Sequence, residues 1–98
     1  MSEEPSEQEK IKKIRRHIDR VDTVLITALA ERMQLIVDIG QYKKKKELPI
    51  FDEKREIEIM DKLKSMAKEQ GLEDSFTEEI FLSVFNEAKR IQNDIING

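Results

Sequence analysis

Cysteine is absent from this 98-residue chain, which excludes disulfides, thiolate nucleophiles and cysteine metal sites and fits a reducing compartment. Histidine occurs once, at His17, among Arg15, Arg16 and Asp19. A single imidazole is too few ligands for a metal centre, and no serine has a visible histidine base. His17 is therefore expected on the surface, and no metal or cofactor is expected. With three glycines, the chain has no glycine-rich loop to cradle phosphate. The formal net charge is -3, and the Lys43 to Lys46 run lacks interleaved aromatics, which argues against nucleic acid and anionic lipid as partners. No apolar run approaches the roughly 20 residues of a membrane-spanning helix. The segment Met1 to Lys10 is polar and acidic, without the apolar core of a secretory signal. A soluble, cytoplasmic chain is the expectation.

What the sequence does contain is charge and apolar residues in nearly equal measure, 40% and 38%, a mixture that suits helices with one apolar stripe and solvated backs. Ile11, Ile14, Ile18, Val21, Leu25, Ala28, Leu35 and Ile39 recur three, four or seven apart, and a second row through Ile26, Leu29, Met33 and Ile36 widens the face. The spacing predicts a long amphipathic helix that runs through Gly40 and breaks at Leu48-Pro-Ile-Phe-Asp52, because the residue before a proline is pushed out of helical geometry. Asp52 reads as the N-cap of a second helix, with Ile57, Met60, Leu63 and Ala67 as its stripe and Gly71 as its stop. Ser75 with Glu78 matches a capping box, ahead of a third stripe from Ile80 through Phe81, Val84, Phe85, Ala88, Ile91 and Ile95. The expected fold is all-α, with one long N-terminal helix and two shorter ones. Residues 1–9 read as a flexible polar tail and 10–98 as one helical domain.

The length of the first helix bears on assembly. Roughly 35 residues span on the order of 50 Å, against a radius of gyration of about 13 Å for a compact chain of this size. A second chain covering the overhanging stripe gives an interwound homodimeric helical bundle.

The stripes are interrupted by polar residues. Arg32 occupies a seat that periodicity assigns to the core, and Lys43, eleven residues on, returns to nearly the same face about 16 Å along. Glu56 sits one turn before Met60, and Gln92 follows Phe81, Phe85 and Ala88 on one face of the third helix. Arg32 or Lys43 taken alone reads most simply as a cation that snorkels, its stem inside and its head in water. Interruptions on all three helices suggest instead a polar pocket inside a bundle. Arg15 precedes Arg32 by 17 residues, roughly 25 Å on a continuous helix, so a small ligand reaches both only if they come from different protomers. Cations, one carboxylate and one amide suit holding a small dianion and stabilising charge that develops on an oxygen.

The pieces Ile14-Arg-Arg-His-Ile-Asp-Arg-Val-Asp22, Leu29-Ala-Glu-Arg-Met33, Ile39-Gly-Gln-Tyr-Lys43, Leu48-Pro-Ile-Phe-Asp-Glu-Lys-Arg-Glu56 and Lys89-Arg-Ile-Gln92 follow one another in an order and spacing that resemble the all-helical chorismate mutases. The resemblance spans nearly all of the chain after the tail. It implies a cofactor-free isomerase that rearranges chorismate to prephenate in aromatic amino-acid biosynthesis, working as a homodimer with shared active sites. It also implies roles. Arg32, and Arg15 from the partner subunit, would bind the two carboxylates of the substrate; Lys43 would contact a carboxylate and the ether oxygen. Gln92 would donate to the same oxygen, Glu56 would accept from the ring hydroxyl near the backbone of Asp52, and Arg55 would add positive field. Ala88 stands where several members carry serine or another polar residue near a carboxylate, so that contact is absent or comes from backbone or water. Two rival readings are an isochorismate-pyruvate lyase on the same scaffold and a non-catalytic helical dimerisation or regulatory module. The first is disfavoured by the Leu48 to Asp52 loop, which looks more like the mutases, and the second requires Arg32, Lys43 and Gln92 to be dispensable.

Overall fold

Three α-helices account for almost all of residues 6–98, the part of the chain that the computed structural model describes: α1 (Glu7–Lys46), α2 (Glu53–Glu69) and α3 (Asp74–Asn97). No strand occurs among the described residues, in keeping with the all-α expectation. Nor is any described helix long and apolar enough to cross a membrane. The chain divides into an N-terminal unit ending at Arg32 and a C-terminal unit, Met33–Gly98.

The N-terminal unit is helix from Glu7 onward. Its first turn is capped by Ser6, whose hydroxyl oxygen accepts from the Glu9 backbone N–H at 3.1 Å, and Glu7 and Glu9 place negative charge at the positive end of the helix dipole. Glu7 to Glu9 of the expected tail thus lie within α1, while residues 1–5 of that tail lie outside the described residues. The apolar stripe is largely solvent-facing: Ile18, Val21 and Leu25 are 51%, 54% and 55% exposed. His17 is exposed, with the Arg20 guanidinium donating to its Nδ1 at 2.9 Å.

In the C-terminal unit, α2 and α3 pack antiparallel. Lys64 meets Glu78 at one end of the pair, and Glu56 meets Lys89 at the other. Met60, Val84 and Phe85 form the buried centre, with Met33, Ile59, Leu63 and Phe81 against it. The Phe81 and Phe85 rings sit 6.3 Å apart and tilted, one turn apart on α3. α2 stops at Gln70 in a Schellman arrangement: Gly71, at φ 80°, donates to Lys68 O and Leu72 donates to Ala67 O. The end of α1 repeats that geometry with a non-glycine residue. Leu48 donates to Lys43 O at 2.9 Å across Glu47, which is held at φ 55°. Pro49 follows and prevents continuation.

The capping box expected at Ser75 and Glu78 does not form. α3 begins at Asp74 with Glu73 as its cap residue, and Glu78 turns to Lys64 instead. The reason lies at Thr77, buried to 4% exposure, whose hydroxyl donates back to Glu73 O at 3.0 Å. That bond requires helical backbone from Asp74 onward, so Ser75 falls inside the first turn.

Candidate active site

Local chemistry at the end of α1 determines where Lys43 points. The left-handed Glu47 and the rigid Pro49 fold the chain back, bringing the Ile50 carbonyl to Lys43 Nζ at 2.8 Å. Lys43 is partly buried while Lys44, Lys45 and Lys46 are exposed, as helical phase requires. Its ammonium has three N–H donors, so the bond to Ile50 aims the group and leaves two.

The start of α2 positions Glu56. Asp52 Oδ1 accepts from the Arg55 backbone N–H at 3.1 Å, and Asp52 O accepts from Glu56 N at 3.0 Å, which seats Glu56 in the first turn. Its carboxylate faces α3 and meets Lys89 Nζ at 3.1 Å, each side chain less than one third exposed. Lys89 Nζ also lies 4.6 Å from the centroid of the Phe51 ring. Arg55 is exposed.

On α3, Gln92 is buried to 5% exposure. One N–H of its amide donates to Ala88 O at 3.2 Å, while Oε1, also buried, has no hydrogen-bond partner. Ala88 is buried, and its backbone carbonyl accepts this bond from Gln92. Gly40 of α1 makes the seat of Gln92: a Cβ there would stand 3.5 Å from Gln92 Cα and Cγ and 2.9 Å from Ile95 Cδ1. Lys44 ties the same two helices by donating to Ile95 O at 3.1 Å.

Arg32 and Arg15 belong to the N-terminal unit; Arg32 is partly buried and Arg15 is exposed. The C-terminal unit thus carries a cation, a carboxylate paired with a second cation, and a buried amide. Such a set has the positive charge and the N–H donors to hold an anionic ligand and polarise an oxygen on it. Among these α3 positions, the Arg90 guanidinium donates to Glu87 and holds its carboxyl below the usual carboxylate range, on an exposed surface. A separate groove lined by Leu63, Met66, Phe76, Ile80 and Phe81 has no charged group and does not suit a dianion.

Sequence reasoning passed over three contributors here: Lys89, Phe51 and Gly40. Lys89 had a detectable signal, since it stands three residues before Gln92 and so on a neighbouring face of α3. Phe51 and Gly40 had none, because their roles depend on what the other helices bring to them.

A family profile described as chorismate mutase type II matches residues 14–93. The chain is 30% identical over 88 residues to a chorismate mutase of Methanocaldococcus jannaschii, covering 90% of this chain and 89% of that protein. It is 41% identical over 61 residues to a bifunctional chorismate mutase/prephenate dehydratase of Aquifex aeolicus, covering 62% of this chain but only 17% of that protein. A 4-amino-4-deoxychorismate mutase of Streptomyces venezuelae is 24% identical over 92 residues, covering 94% of this chain and 89% of that protein. The ordered motifs, the three helices and a match over most of the chain converge: the chain belongs to the type II chorismate mutases.

Proposed function

We propose that two copies of this chain form an interwound, cytoplasmic homodimer that rearranges chorismate to prephenate in two shared sites. The reaction class follows from the family: the chain is an isomerase of aromatic biosynthesis. In the rearrangement one carbon–oxygen ether bond breaks and one carbon–carbon bond forms within a single molecule, so no proton need be transferred and no covalent intermediate is formed. The protein has two tasks, to hold the side chain of the substrate over its ring and to stabilise negative charge growing on the ether oxygen.

Arg32 and Arg15 of the partner subunit take the carboxylates, with Arg55 adding positive field. Lys43 and Gln92 donate to the ether oxygen. Glu56 accepts from the ring hydroxyl, beside the backbone of Asp52. Ala88 leaves the substrate no side-chain hydrogen bond. The observation that carries this reading is the buried amide of Gln92, which retains one N–H beyond its bond to Ala88 O. For the dimer, the support is the exposed apolar stripe from Ile11 to Leu29, which a second copy would cover.

Chorismate loss catalysed by the purified chain, with light scattering of the same sample, tests both parts. Arg32→Ala is expected to remain a folded dimer and to lose about 10²- to 10³-fold in activity, as when an oriented transition-state donor is removed. Full turnover in that variant would overturn the assignment.

A further inference from the structure

The ion pair between Glu56 and Lys89 has no place in the scheme above. We propose that Lys89 is a positioning and specificity-determining residue: it neutralises and orients the Glu56 carboxylate so that the site accepts a neutral ring hydroxyl and disfavours a cationic group at that position. This rests on the reading of Glu56 as the ring-facing acceptor.

Three observations support it. First, Lys89 is held from two sides by different parts of the chain. Its ammonium lies 3.1 Å from Glu56 Oε1 on α2 and 4.6 Å from the centre of the Phe51 ring in the α1–α2 connection. A lysine that only dresses a surface has no such double restraint, and the aromatic face attracts a cation placed over it. Second, Lys89 directly follows Ala88 and precedes Gln92 by three residues, so it borders the α3 positions assigned to the site. Third, Glu56 is a carboxylate in a pocket proposed for a dianion. An uncompensated negative charge there repels the ligand, whereas a carboxylate in contact with an ammonium accepts a hydrogen bond at little net charge. The same compensation removes the attraction an isolated carboxylate would exert on a protonated amine.

The bland alternative is an interhelical ion pair that merely ties α2 to α3, and it predicts different kinetics. The test compares chorismate with an analogue carrying an amino group in place of the ring hydroxyl, using Lys89→Met, Lys89→Gln, Lys89→Arg and Glu56→Gln, each verified as folded by circular dichroism. Lys89→Met and Lys89→Gln are expected to lower kcat/KM for chorismate by about tenfold, chiefly through KM, and to shift the ratio of the two substrates about tenfold toward the amine. Lys89→Arg keeps the charge and is expected within about threefold of the parent on both measures. In a Glu56→Gln background, Lys89→Met is expected to add no further loss, because Lys89 acts through Glu56.

An unchanged substrate ratio in both neutral variants, with Glu56→Gln strongly impaired, would overturn the proposal and leave the mutase assignment standing. Equal losses in Lys89→Arg and Lys89→Met would also overturn it, since charge would then not be the property that matters. Full activity in Glu56→Gln would remove the role of Glu56, and the proposal with it.

Discussion

Replacing Gln92 by methionine should inactivate the enzyme while making it more stable. Methionine has the unbranched shape of glutamine, so the Cγ that lies 3.5 Å from the Cβ position at Gly40 stays a methylene and the α1–α3 contact survives. Two polar terms change. The bond from Nε2 to Ala88 O is lost, a net contribution of about 0.5–1.5 kcal/mol. The buried Oε1, which has no hydrogen-bond partner, is removed, relieving a desolvation cost of about 1–3 kcal/mol. The balance favours the variant by on the order of 1 kcal/mol, or roughly 4–8 °C in Tm for a domain of this size. Activity should fall by about 10²- to 10³-fold, because the amide is one of two donors assigned to the ether oxygen. Urea unfolding at one fixed protein concentration reads the first effect, since the stability of the proposed dimer would depend on concentration. Absorbance loss of chorismate reads the second. A variant that keeps its turnover, or one that is inactive only because it is less stable than the parent, would refute the reasoning.

Glu47→Gly should raise stability by about 0.5–1 kcal/mol, because a non-glycine residue at φ 55° pays for a left-handed backbone that glycine adopts freely; an unchanged or lower urea midpoint would count against this. Gly40→Val should cost about 1–3 kcal/mol and depress activity, since its branches meet Gln92 and Ile95, whereas Gly40→Ala needs only the tip of Ile95 to move and should stay within about 1 kcal/mol of the parent. Leu25→Glu puts a charge in the middle of the exposed stripe and should weaken the proposed dimer by at least about tenfold, seen as a lower mass by light scattering at dilute protein; an unaltered mass would argue that this stripe is not the interface.

Periodicity and punctuation made the helices legible. Three- and four-residue spacing, Pro49, Asp52 and Gly71 act locally, within one or two turns, and the structure follows them at each of these places. Ser75 and Glu78 show where local signals compete. The capping motif is present, but burial of Thr77 and the pairing of Glu78 with Lys64 start the helix one residue before Ser75. Phase alone also identified Lys43 as the lysine of its run that is partly buried.

The sequence by itself therefore determined the helices, most of their boundaries and which polar residues interrupt their apolar faces, since those properties depend on neighbours along the chain. Tertiary packing alone decided that Glu56 faces Lys89, that Phe51 lies under that ammonium, and that Gly40 makes room for Gln92. Such pairings join residues far apart in sequence, and their geometry is settled by how α1, α2 and α3 share a small core, which no spacing within one helix encodes.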